Sequence, residues 1–345
     1  MTADSRPELR AGRRAPGAAA PQTVLFLLVP DFSMISFTSC IEPLRLANRM
    51  SGRRLYAWAT AGIDDSPVRA SNGVPVLPDT AIGDAAPPAV AIVCAGLNAE
   101  RFRHPPVLSR LRQMARAGIT LGGVCTGSLI LARAGLLDGY RCTIHWENME
   151  GFVEEFPEQE ITATMFEIDR DRFTCSGGTA PLDMMVHLIA RDHGEPLAIQ
   201  VAEQMLHTPV RHQGDPQRMS LQYRTGISHP KLLAAIAAME AHLEAPLGVD
   251  GLAARVALSP RQLERLFRDH VGRPPGRYYL ELRLKRARLL LLQTSMPVIQ
   301  VAVACGFTSA SHFAQAYHAL FGHAPREERR QEERRLEEKA DAGRR

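Results

Sequence analysis

The sequence predicts an α/β domain with a mainly parallel sheet covered by helices on both faces, followed by an all-α domain. Three observations carry this fold class. The first two hundred residues alternate short apolar runs with helical patterns. Everything after residue 231 is helical in pattern. Within that helical block one two-helix unit occurs twice, offset by 49 residues at its start and 50 at its end. Continuous apolar runs of strand length mark strands buried on both faces, and strand–helix alternation marks parallel connections.

Taken in order, residues 24–29 form an uninterrupted apolar run of buried-strand type, followed by a helix over 39–49. A strand is expected at 55–61 and another at 90–94, the latter followed by a helix over 107–117. A third short strand, 119–124, runs into Cys125-Thr126-Gly127-Ser128 and a helix at 129–134. The strand 172–176 leads through Gly177-Gly178 into a helix over 179–191. Residues 22–195 therefore read as one domain. Between 196 and 230 the helical runs are interrupted by His207-Thr208-Pro209 and Gly214-Asp215-Pro216, the signature of a connector. Residues 231–330 make the helical domain, broken at Ser259-Pro260, Gly272, Met296-Pro297, Gly306 and Gly322. The ends, 1–21 and 331–345, read as a loose tail without a secretory apolar segment and a mixed-charge tail.

The chain has 345 residues, 45% hydrophobic and 23% charged, which excludes a wholly disordered or fibrous protein. No uncharged apolar run reaches the roughly 18–20 residues of a membrane span. Six cysteines without paired spacing argue against a disulfide framework and for a cytoplasmic, reducing setting. The net charge of +4 is unevenly spread. Residues 1–230 hold 22 Lys and Arg against 24 Asp and Glu, 231–330 hold 14 against 8, and the last fifteen hold 5 against 5. Positive charge concentrated in one helical block points to a nucleic-acid partner, with a merely solvated basic face as the alternative.

Each copy of the repeat is a short helix, a tight turn and a second helix, the helix-turn-helix layout. In the first copy Ser259 is placed to cap the second helix, with Pro260 at its first position. Leu263, Leu266 and Phe267 then face the core, leaving Arg261, Gln262, Glu264, Arg265 and Arg268 outward. In the second copy Phe313, Ala316 and Tyr317 face inward, with Ser311, His312 and Gln315 outside. A long helix over 278–293, carrying Arg286 and Arg288, spans the two. These residues, with the Phe313…Phe321-Gly322…Pro325 ending, resemble the AraC-type DNA-binding domain over about a hundred positions. The resemblance implies that each second helix enters the major groove of double-stranded DNA, on successive turns roughly 34 Å apart. Arg261, Arg265 and Gln315 have the donors to read guanine or adenine edges, and Arg286 and Arg288 are expected at phosphates, with simple solvation as the alternative.

In the first domain, Gly122-Gly123-Val124-Cys125-Thr126-Gly127-Ser128 has the form of a nucleophile elbow, a strand-to-helix corner that exposes one side chain. The following helix start is expected to stabilise a thiolate. With the alternation around it, His145-Trp146 and the corner from Cys175 to Thr179, this segment resembles the DJ-1/PfpI superfamily. The resemblance implies a flavodoxin-like three-layer sandwich of the class I glutamine amidotransferase-like type. Enzymes of that superfamily set an acid from the first strand–helix corner against the thiol. Here that position aligns with Ser36, and Thr126 stands where many members have His. A nucleophile without acid or base lacks its usual activation, so no enzyme activity is expected. A thiol-dependent hydrolase or hydratase fused to a DNA-binding module is the alternative, with His145 as a substitute partner.

Both halves in one chain resemble the GlxA-like group of AraC-family regulators, from Val24 to Arg329. Within it, His145-Trp146-Glu147-Asn148 and 166–169 are most similar to members that respond to arginine, carnitine or glycine betaine. The resemblance implies an effector-responsive transcriptional regulator, in general an activator, working as a homodimer with RNA polymerase. Cys125, Thr126, His145, Trp146 and Glu147 are the expected effector-binding residues. An aromatic face beside a carboxylate suits a cationic nitrogen; the alternative has Trp146 in the core and Glu147 merely solvated. Neither cofactor nor metal is expected, since Cys and His lack zinc spacing and no dinucleotide fingerprint occurs.

Overall fold

The structure is a computed structural model that describes residues 20–331 and 334. The two tails expected at the ends lie almost wholly outside the described residues. The chain divides into two compact units, Met1–Gln217 and Arg218–Arg345.

The first unit is built on β1 (Gln22–Leu28), β2 (Tyr56–Gly62), the small hairpin β3 (Val68–Arg69) and β4 (Pro75–Val76), β5 (Thr80–Ala81), β6 (Val90–Cys94), β7 (Thr120–Val124), β8 (Phe166–Asp169) and β9 (Arg172–Cys175). Seven strands form one sheet in the order β5-β2-β1-β6-β7-β9-β8. All neighbours are parallel except β8 and β9. Alternate side chains of the central strands supply two cores. Val24, Phe26 and Leu28 of β1 pack with α1 (Met34–Ser51), α5 (Ala180–His193) and α6 (Glu195–Gln204). Leu25 and Leu27 pack on the other side with α2 (Pro105–Arg116), α3 (Gly127–Arg133) and α4 (Met149–Glu155). This is the three-layer sandwich that unbroken apolar strands require, because each face needs its own helical cover.

The expected strands and helices all form, with shifted ends. The first helix starts at Met34 because Ser33 caps it, accepting from the Ser36 amide, while Gly52 closes it at φ +65°. The antiparallel β8 and the short α4 have no counterpart in the sequence expectation. The segment 196–230, expected as a connector, is divided between the units. Its first helix, α6, buries Ala198, Val201 and Ala202 in the same core as α1 and α5. Residues 211–217 hydrogen-bond to the first unit, whereas α7 (Leu221–Thr225) belongs to the second.

The second unit continues with α8 (Pro230–Ala241), α9 (Val249–Arg255), α10 (Pro260–Val271), α11 (Pro275–Gln293), α12 (Val298–Ala304) and α13 (Ala310–Phe321). It has two separate cores. Leu232, Ile236, Leu252, Leu263, Phe267 and Tyr279 form one, and Leu284, Leu290, Val301, Phe313 and Tyr317 the other. Helix α11 contributes Tyr279 to the first and Leu284, Leu290 and Leu291 to the second, so it is a rigid bridge between them. The repeat registers well: α9 and α12 start 49 residues apart, α10 and α13 start 50 apart, and both end at a left-handed glycine, Gly272 and Gly322. The residue at the tight turn has positive φ in both copies, +50° at Ala257 and +73° at Gly306.

Candidate functional site

Cys125 follows the last residue of β7 at φ +58°, a conformation unusual for a side-chain-bearing residue and typical of a strained corner. Glycines make room for it. A Cβ on Gly127 would lie 2.2 Å from the Val93 carbonyl oxygen, and one on Gly177 would lie 2.8 Å from the Cys125 Cβ. The sharp turn and the close approach of the 176–178 corner therefore both depend on small residues.

The expectation of a stabilised thiolate is not met. Burial pushes the Cys125 thiol up to about 11; the Thr126 amide opposes this and the Glu147 charge adds to it. Helix α3 has seven residues and no side-chain cap, so the field at its start does not offset desolvation. Ser36 is the residue expected at the position of the superfamily's acid. It is fully buried and bonds to Ser33 Oγ at 3.0 Å and to the Gly178 carbonyl at 3.5 Å. Asp31, the other carboxylate at that corner, accepts instead from Asn98 at 2.8 Å.

Four of the five expected effector residues gather around the elbow. His145 donates its amide to the Cys125 carbonyl at 3.4 Å, and its Nδ1 accepts from the Glu147 amide at 3.4 Å. Burial lowers the His145 pKa, partly countered by Glu147, so the ring is neutral at pH 7. The Trp146 ring lies 5.5 Å from the imidazole and is 39% exposed. Trp146 is therefore a surface aromatic and not a core residue. Glu147 is exposed beside it, near enough to shift both His145 and Cys125. Thr126 departs from the expectation: it is buried, and its hydroxyl donates to the Gly96 carbonyl at 2.7 Å. It shapes the corner instead of lining an opening.

Two polar networks beside the elbow were not found from sequence. Asp183 on α5 is fully buried and accepts from His207 Nε2 at 2.7 Å and from the Arg211 amide and guanidinium at 2.6–3.0 Å. Glu167 on β8 is also buried, accepting from Thr162, Thr164 and Gln213 at 2.9–3.0 Å. Each joins residues 20 to 50 positions apart, or segments without periodic pattern; the only sequence sign was a carboxylate within an otherwise apolar segment.

In the second unit, the outer face of α10 presents Arg261, Glu264 and Arg265 to solvent, and that of α13 presents Ser311, His312 and Gln315. Gln262 is exposed but committed to the capping box, its Oε1 accepting from the Ser259 amide at 2.8 Å. Arg288, expected at phosphate, instead pairs with Glu328 at 2.9 Å and lies over the Phe321 ring at 5.1 Å. Arg286 is partly buried on the same helix. Arg283, not singled out beforehand, donates to the Cys305 and Gly306 carbonyls at 2.7 Å and stacks on Phe307, stapling α11 to the second turn.

Residues 22–191 match the DJ-1/PfpI family and residues 252–331 a helix-turn-helix domain family. The HTH-type transcriptional regulator GbdR of Pseudomonas aeruginosa is 48% identical over 90% of this chain and 84% of its own length. The HTH-type transcriptional regulator CdhR of the same species is 46% identical over 89% of this chain and 91% of its own. Among solved structures, an AraC family transcriptional regulator from Pseudomonas putida superposes with a TM-score of 0.50 at 30% identity, covering 54% of this chain and all of that one. No described helix is long and apolar enough to cross a membrane. With a sandwich carrying an unactivated cysteine elbow and two helix-turn-helix units on one spacer helix, the chain belongs to the GlxA-like AraC family of HTH-type transcriptional regulators.

Proposed function

We propose that the first unit is a sensor domain, using a former enzyme elbow as a binding site for a small nitrogenous metabolite. The observation that carries this reading is the exposed Trp146, 5.5 Å from the ring of His145, whose amide bonds the Cys125 carbonyl, with Glu147 next in the chain. A partly exposed indole next to a carboxylate attracts a quaternary or otherwise cationic nitrogen by cation–π and Coulomb forces, worth about 0.5–2 kcal/mol for the ring alone. Glycine betaine, carnitine and arginine share that group. The chain then acts in the cytoplasm as an effector-dependent activator of catabolic genes, as a homodimer on double-stranded DNA with RNA polymerase. Arg261, Arg265 and Gln315 read base edges. The sensor performs no turnover, because Cys125 is held as a neutral thiol and Ser36 cannot act as acid or base at that corner.

Calorimetry on the full chain with glycine betaine, L-carnitine and L-arginine tests the ligand class. Binding of one of them that falls at least about tenfold in Trp146→Ala supports the site. No heat from any of the three, or binding indifferent to Trp146, overturns it.

A further inference from the structure

The two backbone groups of Cys125 are both wired to the same distant segment. Its N–H donates to the Cys175 carbonyl at 3.0 Å. The other end of that peptide group, the Ser176 N–H, donates to the Met165 carbonyl at 2.9 Å, and the Met165 N–H donates to the Gln213 carbonyl at 3.0 Å. On the other side, the Cys125 carbonyl accepts from the His145 N–H. The carbonyl of that peptide group, on Ile144, accepts from Gln217 Nε2 at 3.0 Å. Gln217 is the last residue of the first unit. Residues 207–217 thus form a strap touching both walls of the elbow immediately before the chain passes to the DNA-binding unit.

A third anchor holds the start of the strap. His207 and Arg211 clasp the buried Asp183, and Arg211 also donates to Thr179 Oγ1 at 2.7 Å, at the start of α5. The corner just before Thr179 is the one whose Gly177 abuts Cys125. At the end of the strap, Gln217 Nε2 reaches Thr143 Oγ1, the Ile144 carbonyl and the Thr164 carbonyl at 2.8–3.0 Å, while its Oε1 is buried with no hydrogen-bond partner among the described residues. A docked state that leaves a buried acceptor unsatisfied is opposed by a released state in which water satisfies it. The docked strap therefore carries a cost that release removes, set against the hydrogen bonds that release breaks.

We propose that the strap 207–217 is the element through which occupancy of the elbow controls the DNA-binding unit. This deepens the sensor reading above and rests on it. A ligand against Trp146 and Glu147 displaces the His145 peptide, and the Ile144 carbonyl on that peptide is the acceptor that holds Gln217. Movement of the 176–178 corner acts on Gln213 through Met165. Both displacements favour release of the strap, and by reciprocity a released strap loosens the elbow.

Amide hydrogen–deuterium exchange on the full chain, without ligand, tests the coupling in both directions. Gln217→Ala is expected to speed exchange of the His145 amide about tenfold, although it removes no bond to that amide. Gly177→Ala, which crowds Cys125, is expected to speed exchange of the Met165 and Arg211 amides similarly. If Gly177→Ala does not fold, Gln213→Ala with readout at Ser176 takes its place. Unchanged exchange at His145 in Gln217→Ala, and at the far amides in the second variant, overturns the proposal. Failure of glycine betaine, L-carnitine and L-arginine to bind counts against the ligand class alone, because this exchange measurement involves no ligand.

Discussion

The protonation of Cys125 separates a sensor from an enzyme, and its chemistry gives a quantitative prediction. Burial is the main cause of the shift, from the ordinary 9.0 to about 11. Two units correspond to about 2.7 kcal/mol of preference for the neutral thiol. At pH 7.5 the thiolate fraction is then about 0.03%, against about 3% for an ordinary thiol, so alkylation by iodoacetamide is expected to be about a hundredfold slower. Restricted access slows the reaction too, but by a factor that does not depend on pH. The diagnostic is therefore the profile, followed by mass spectrometry of the Cys125 peptide in the native chain. The rate should rise tenfold per pH unit from 7 to 9.5 without bending, whereas a thiol of pKa 9.0 bends near pH 9. Linkage has a definite sign: a raised folded pKa costs nothing below pH 9 and removes about 1.4 kcal/mol of stability per unit between 9 and 11. Alkylation at pH 7.5 as fast as for a free thiol refutes the reasoning, and would restore the hydrolase or hydratase reading.

Four further outcomes are expected. Gly306→Ala places a Cβ 2.7–2.8 Å from Pro246 and the Glu244 and Leu243 carbonyls at φ +73°, so it should cost at least about 2 kcal/mol in urea denaturation. Ala257→Gly, at the matching turn, should change stability by less than about 1 kcal/mol, because relief of left-handed strain and added chain entropy oppose each other. Burial raises the Glu328 pKa, but hydrogen bonds from Tyr317, His323 and Arg288 outweigh it and hold the carboxyl below its ordinary 4.5. The stability this gives is present above pH 4.5 and is lost as pH falls through the lower folded value, so Glu328→Gln should flatten that acid limb in a thermal-melt series. Arg265→Ala should weaken binding to a selected operator by about 1–3 kcal/mol and to random DNA much less, as gel-shift titrations at one salt concentration can show; equal losses would make Arg265 a phosphate contact.

Much of this was legible in the chain because local patterns are local causes. Ser259 followed by Pro260 announced the start of α10, and Gly272 and Gly322 its end and that of α13, since caps act within one turn. The 49- and 50-residue offsets survive as equal element spacings because each copy must bury its own small core. Gly123 and Gly127 around Cys125 marked the elbow, as only glycine admits so close a turn. The partners of Gln262 and Arg288, Ser259 and Glu328, were not legible, because exposure on a helix face does not reveal a partner.

Composition and periodicity were thus enough for the two units, the sheet's double cover, the duplicated helix-turn-helix and the position of the elbow. Each follows from repeating apolar spacing or from backbone demands that a few neighbouring residues meet. The ionisation of Cys125, the burial of Thr126, the exposure of Trp146 and the strap ending at Gln217 were decided only in three dimensions. Desolvation depends on what distant segments cover, and a hydrogen bond between positions 144 and 217 leaves no pattern in either stretch of sequence. The sequence shows where the cysteine elbow of this protein sits, and the tertiary packing around Cys125 is what raises the pKa of its thiol.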